Sequence, residues 1–412
     1  MPTMNLLLEK LHSISSCNLK ISGSKSETNR LLILQALFPN IALQNVSDSD
    51  DTNVMIHALS SAEETFDILH SGTAMRFLTA YYAAKLGRTV ILTGSSRMKE
   101  RPIKLLVDAL RQLGGEIEYM ESDGFPPIKI TGKKIVNNKV AIDADISSQY
   151  ITALLLIAPA LENGLEISLI GKVTSKPYIQ MTLGLLNQIG IKTSFSQNSI
   201  VVFPTPKTQH LAPITIESDW SSASYFYSII ALSKAGTTIT LSTYKNDSLQ
   251  GDCALVKIYR NFGVKTIFIN DSIRLTKQSM SLAPLKLNLN DHPDLAQTIA
   301  VTCLGLQINC ELSGLHTLKI KETDRLAALQ NELSKLGAKV TVTNNRLTLE
   351  APNAIIPNMS IKTYSDHRMA MAFAPLALKV PITIEEAEVV SKSYRNFWND
   401  LKTVGFQVSE IQ

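Results

Sequence analysis

The chain has 412 residues, 45% of them apolar and 18% charged, a profile that excludes disorder, collagen and a coiled coil and leaves length for two or three domains. Its 40 Lys and Arg against 36 Asp and Glu give a formal charge of +4. That is too little for bulk attraction to nucleic acid or a membrane, so any handling of anions must come from local clusters.

Residues 1–10 lack the basic stretch, apolar run and small-residue cleavage site of a secretory leader. Cys17, Cys253, Cys303 and Cys310 form no Cys-x-x-Cys pair, so neither a disulfide framework nor a zinc ribbon is indicated. The longest apolar run, 151–161, is short for a bilayer and holds Thr152 and Pro159. These features predict a cytoplasmic protein.

Along the chain, small polar residues repeatedly open an Ala-rich helical pattern, at Ser24, Gly72, Ser147, Ser221, Asp294 and Asp366. A second landmark keeps the same rhythm: an apolar residue and Gly end a helix at Leu113-Gly114, Ile189-Gly190, Phe262-Gly263, Leu336-Gly337 and Val404-Gly405. Each Gly suits a helix C′ position. The residues after it alternate as a half-buried strand does, for example Ala338-Lys339-Val340-Thr341-Val342. The period is about 70 residues and predicts six units, the first shorter, each reading strand, helix, strand, helix, strand, strand. The fold class is therefore α/β (α+β). Six units exceed one core, so two domains of three units follow. The boundary is expected near Pro204, Pro206 and Pro213, with residues 1–22 joining 217–412 around an inserted 23–216.

Cations cluster at these helix starts, where unpaired N–H groups already favour anions. Ser22-Gly23-Ser24-Lys25-Ser26-Glu27-Thr28-Asn29-Arg30 places Lys25 in a first turn and Arg30 five residues on. It is no Walker A loop, since position 18 is Asn18. Gly72-Thr73-Ala74-Met75-Arg76 allows close backbone approach to a ligand. Arg97-Met98-Lys99-Glu100-Arg101-Pro102 precedes a helix for which Pro102 fits position N1. In Lys319-Ile320-Lys321-Glu322-Thr323-Asp324-Arg325, a shared helical face for Lys321 and Arg325 makes sense around an anion, with Glu322 among cations and ready for proton transfer. Asp366-His367-Arg368 repeats the theme and Ser391-Lys392-Ser393 adds a late cation. Asp294 has no cation in its own first turn, which makes it a candidate base; an ordinary N-cap is the alternative.

The seven histidines (12, 57, 70, 210, 292, 316 and 367) form no HExxH site, and neither GxGxxG nor GxSxG occurs. The pattern points to chemistry without metal or cofactor on phosphorylated small molecules. A passive repeat scaffold is the competing reading of the period alone.

These stretches, together with Ser147-Ser148-Gln149 and Ser175-Lys176-Pro177-Tyr178, are similar to those of the 5-enolpyruvylshikimate-3-phosphate synthases of the enolpyruvyl transferase family, over nearly the full chain. The resemblance implies two domains, each of three βαβαββ units, with substrates in a cleft between them; closure on binding is expected because cations from both halves must converge there and would repel when it is empty. It implies transfer of the enolpyruvyl group of phosphoenolpyruvate to the 5-hydroxyl of shikimate 3-phosphate, with no metal or cofactor and with a monomer as the working form. Lys25, Ser26, Arg30, Ser147, Ser148, Gln149, Ser175, Tyr178, Asp294 and Lys321 would bind shikimate 3-phosphate. Lys25, Gly72, Arg101, Gln149, Arg325, Arg368 and Lys392 would bind phosphoenolpyruvate. Asp294 would accept the 5-hydroxyl proton and Glu322 would protonate C3. Lys25, His367 and the arginines would stabilise developing charge.

Three residues depart from the family's pattern. His70 stands where Asn is usual, Phe77 where Pro is usual, and Thr317 where an Asn touches shikimate 3-phosphate. Gly72 is kept, which implies sensitivity to glyphosate. The sister activity on UDP-N-acetylglucosamine usually has a reactive Cys in the loop matching 97–103, and no Cys lies there. A nucleic-acid-end enzyme built from related units fits poorly with the small net charge and 6% aromatic content.

Overall fold

The structure, a computed structural model, describes residues 4–145, 147–205 and 212–411. Pro206 of the expected boundary and His210 lie outside the described residues. The chain divides into two compact units, one of Met1–Ser22 with Glu217–Gln412 and one of Gly23–Ile216. Each has its own buried apolar cluster.

The inserted unit, Gly23–Ile216, holds two four-stranded sheets. One runs Thr65–Asp67, Thr89–Thr93, Ile128–Thr131, Glu116–Tyr119, and the other Lys139–Asp143, Leu165–Ile170, Ser199–Val202, Thr193–Ser196. In both, the first pair is parallel and the next two are antiparallel. The shorter first repeat supplies only a parallel pair, Leu43–Gln44 with Ile214–Thr215.

The discontinuous unit has three sheets of the same topology. Their orders are Cys17–Leu19, Thr238–Ser242, Ser272–Lys277, Val264–Ile269; then Leu285–Asn288, Cys310–Ser313, Arg346–Glu350, Lys339–Val342; then Met359–Ile361, Ile382–Ile384, Asn5–Leu8, Val408–Ile411. The N-terminal strand is thus an interior one, with Leu6 opposite Ile384 and Leu8 opposite Val408.

Three helices in each unit are buried around most of their circumference, as their near-continuous apolar and small residues require. In the inserted unit they are Lys25–Leu37, Gly72–Ala84 and Ser148–Ile157; in the other, Trp220–Leu232, Ala296–Gly305 and His367–Phe373. Hydroxyl pairs fix how two of them lie together, because a buried hydroxyl needs a partner. Ser224 Oγ meets Thr298 Oγ1 at 3.1 Å and Thr302 Oγ1 donates to Ser228 Oγ at 2.8 Å. Amphipathic helices pack outside, such as Lys104–Gln112, which buries Leu106, Val107, Ala109 and Leu110.

Several local expectations are corrected. The helix expected to open at Ser221 is capped by Asp219, whose carboxylate accepts from Ser222 N at 2.7 Å. Pro102 lies ahead of its helix, whose cap is Ile103. The segment before Gly263 is a single α turn, Leu255–Ile258, between two 3₁₀ turns. Asp294 does not hold the helix cap position, which falls to Leu295; it sits in the 3₁₀ turn Pro293–Leu295. The five helix-ending glycines all have positive φ. Among the described residues no helix is long and apolar enough to cross a membrane.

Candidate active site

Lys25, Ser26, Arg30, Gly72, Ser148, Gln149, His367 and Arg368 lie in the N-terminal halves of four of the central helices, Asp294 lies just ahead of a fifth, and the other expected residues come from neighbouring segments. In the discontinuous unit the organising group is Arg325, 1% exposed. It does not share a helix with Lys321, because Lys321 is extended and Asp324 caps a helix that begins at Arg325. Its guanidinium meets three carboxylates: Nη1 to Asp294 Oδ1 at 2.8 Å, Nη2 to Glu322 Oε2 at 2.8 Å and Nε to Asp366 Oδ2 at 2.6 Å. Burial alone would depress its charge, and these three acids more than offset that.

Asp294 is the second hub. Arg368 Nη2 reaches its Oδ2 at 3.1 Å, Lys321 Nζ lies 3.6 Å from its Oδ1, and Arg325 shares that oxygen. The isolation from cations that its sequence neighbours suggested is overturned by contacts from distant segments. Burial would raise its carboxyl, but Arg368, Lys321 and Arg325 win and hold it well below the usual carboxylate range. Lys392 Nζ lies 3.4 Å from Glu322 Oε1, so that carboxylate is gripped from both sides. His367 is buried beside Asp366, with Nδ1 3.7 Å from Oδ1. Thr317 is buried, and its Oγ1 has no hydrogen-bond partner among the described residues. This unit therefore brings Asp294, Lys321, Glu322, Arg325, Arg368 and Lys392 into one network of alternating charge.

The inserted unit gathers its residues around two centres. Lys25, first in its helix, pairs with Asp51 at 3.0 Å. Arg30, 3% exposed, is held by neutral groups: Thr182 Oγ1 at 2.9 Å, Ser26 O at 2.7 Å, and Thr152 Oγ1 and Tyr178 O at 3.5 Å each. The Phe77 ring lies 5.5 Å from its Cζ. Burial pushes Arg30 down to about 10, still charged at neutral pH. Among the described residues no carboxylate lies at ion-pair distance from this guanidinium, so its charge is met by neutral acceptors alone.

The second centre is Gly72. A Cβ built there would lie 2.7 and 2.8 Å from Arg101 Nη1 and Nη2, so Gly lets the guanidinium reach the helix start. Arg76 braces the pair, donating to Gly72 O at 3.2 Å and Pro102 O at 3.0 Å. Ser147 caps the helix carrying Ser148 and Gln149, and Gln149 Nε2 reaches Thr73 Oγ1 at 3.5 Å. Ser175, at φ 52°, precedes the helix bearing Tyr178. His70 meets Ser95 Oγ through Nδ1 at 2.8 Å.

Sequence reading missed Asp51, Thr152 and Thr182. Asp51 looks like any acid in a helix first turn, and the two threonines look like core residues; only their tertiary partners mark them. Among the described residues no cluster of His, Cys, Asp and Glu could hold a metal ion.

Residues 60–401 match the family described as EPSP synthase (3-phosphoshikimate 1-carboxyvinyltransferase). The chain is 46% identical over 395 residues to a 3-phosphoshikimate 1-carboxyvinyltransferase of Bacteroides fragilis, covering 95% of each chain. It is 36% identical over 429 residues to one of Photorhabdus laumondii, covering 97% of this chain and 98% of that one. Two solved structures share the fold: an EPSP synthase of Acinetobacter baumannii (TM-score 0.77, 20% identity, 99% of this chain and 100% of that one) and the enolpyruvyl transferase NikO of Streptomyces tendae (TM-score 0.76, 16% identity, 100% and 99%). With its charge network, its helix-start motifs and these relatives in agreement, the chain belongs to the EPSP synthase family.

Proposed function

We propose that this chain transfers the enolpyruvyl group of phosphoenolpyruvate to the 5-hydroxyl of shikimate 3-phosphate and releases phosphate. The observation that carries the reading is the Asp294 carboxylate among Arg325, Arg368 and Lys321, beside Glu322 between Arg325 and Lys392.

Both substrates are polyanions, and the cations already have carboxylate partners. Binding is therefore an exchange. As Arg325, Arg368 and Lys321 turn to ligand oxygens, Asp294 loses the charges that depress it and becomes a stronger base. It then takes the 5-hydroxyl proton as O5 bonds to C2 of phosphoenolpyruvate, while C3 gains a proton from Glu322, which takes that proton up from water once Arg325 and Lys392 turn from it to the ligand. The product of this step is a tetrahedral intermediate that keeps its phosphate. Loss of a C3 proton next breaks the bond from C2 to the phosphate oxygen, and cations at the leaving oxygens stabilise the charge.

Lys25, Ser26, Arg30, Ser147, Ser148, Gln149, Ser175 and Tyr178 would seat shikimate 3-phosphate, and Gly72 with Arg101 would serve phosphoenolpyruvate. Glyphosate, a small polyanion, would compete at Gly72 and Arg101. A cytoplasmic setting is supported by four unpaired thiols, Cys17, Cys253, Cys303 and Cys310.

The test is phosphate release from phosphoenolpyruvate with and without shikimate 3-phosphate. Release only when both are present is expected; release indifferent to shikimate 3-phosphate rejects the substrate assignment.

A further inference from the structure

A second buried acid stands behind Arg368. Ser221, on the helix Trp220–Leu232, donates its hydroxyl to Asp252 Oδ2 at 2.5 Å, and its Oγ accepts from Arg368 Nη2 at 3.4 Å. The same Nη2 donates to Asp294 Oδ2 at 3.1 Å, while Nη1 donates to the Asp294 main-chain oxygen at 3.3 Å. The guanidinium is thus held on one side by Asp294 and on the other by Ser221 with Asp252 behind it.

Asp252 is an expensive residue for the fold to keep. It is 5% exposed, and its Oδ1 has no hydrogen-bond partner among the described residues. Burial, and then the neighbouring Asp294 charge, push its carboxyl up; Arg368 and the Ser221 hydroxyl pull it back. Its placement is nonetheless built. Gln250, two residues earlier, accepts from Trp220 N at 2.9 Å and donates to Ser218 O at 3.0 Å and Glu217 Oε2 at 3.4 Å, tying the turn Gly251–Ala254 to the start of the Trp220 helix.

We infer that Asp252, acting through Ser221, is a positioning residue for Arg368. It fixes the guanidinium so that, when Arg368 leaves Asp294 for an anionic substrate, it turns from a held orientation and does not swing free. This rests on the reading that Arg368 binds phosphoenolpyruvate. The Ser221 hydroxyl carries the hydrogen-bonded path from Asp252 to Arg368, and the Asp252 charge adds to it through space.

The test uses the full chain and steady-state phosphate release, varying each substrate in turn, with melting temperature alongside. In both Ser221→Ala and Asp252→Asn the KM for phosphoenolpyruvate should rise about tenfold, while that for shikimate 3-phosphate moves less than about twofold. The double variant should fall short of the two single losses added together, because the hydrogen-bonded path is shared. Ser221→Thr, which keeps the hydroxyl, should recover most of the loss. An unchanged KM for phosphoenolpyruvate in folded Ser221→Ala overturns the inference, as does an equal rise in both KM values. If Asp252→Asn does not fold, the Ser221 pair decides alone. A wild type that releases no phosphate removes the parent reading and this inference together; an active wild type with indifferent variants removes only the inference.

Discussion

Gly72 and Asp294 are the residues on which single atoms decide most. The three atoms nearest a methyl on Gly72 all belong to the Arg101 guanidinium, the far end of a flexible side chain, so the guanidinium shifts and the fold stays. Gly72→Ala should melt like the wild type, raise the KM for phosphoenolpyruvate about tenfold and weaken glyphosate inhibition at least as much, read from inhibition curves. Asp294 is held well below the usual carboxylate range, and this sets the sign of its pH dependence. With the folded value depressed from about 3.9, its contribution to stability is complete above that pH and lost as pH falls through the folded value. Asp294→Asn should therefore melt several degrees below the wild type at pH 7, and the gap should shrink below about pH 4. Its turnover should fall about 10²–10⁴-fold. The motif residues of this site were legible because Lys and Arg recur at helix starts. Asp252, Asp51 and Thr182 were not, since each works on a side chain supplied by another segment: Arg368 by way of Ser221, Lys25 and Arg30.

Among the elements, the repeat was the clearest signal, because a Gly at positive φ after an apolar residue marks a helix end whatever the tertiary setting. Helix starts were read less well. Ser221 and Asp219 are equally good caps by composition, and only the bond from Ser222 N selects Asp219. Lys321 and Arg325 sit four apart in sequence but on either side of a cap, so they reach Asp294 from an extended segment and from a helix. The helix Lys176–Gln188 carries a testable strain at its start, for Ser175 holds φ 52° and ψ 39° without a side-chain cap bond. Ser175→Gly should relieve about 1 kcal/mol and raise the melting temperature by a few degrees. Loss of the hydroxyl should raise the KM for shikimate 3-phosphate, separating stability from binding in one variant.

The whole molecule has two buried clusters, one per unit, and each is large enough to melt on its own terms. Calorimetry of the chain alone should resolve two transitions; saturating shikimate 3-phosphate with glyphosate should raise both and draw them together, because the ligands favour folded units over unfolded ones. Topology also sets an order of events during translation. The ribosome delivers Gly23–Ile216 complete while Asn5–Leu8 still has neither neighbour, since those are Ile382–Ile384 and Val408–Ile411. At about 5–20 residues per second this waiting time is on the order of tens of seconds. Throughout it, Leu6, Leu7 and Leu8 travel as an unpaired leucine edge of the kind chaperones grip. Nascent chains stalled before residue 382 should accordingly stay bound to a holdase through their first residues, although their inserted unit already resists protease.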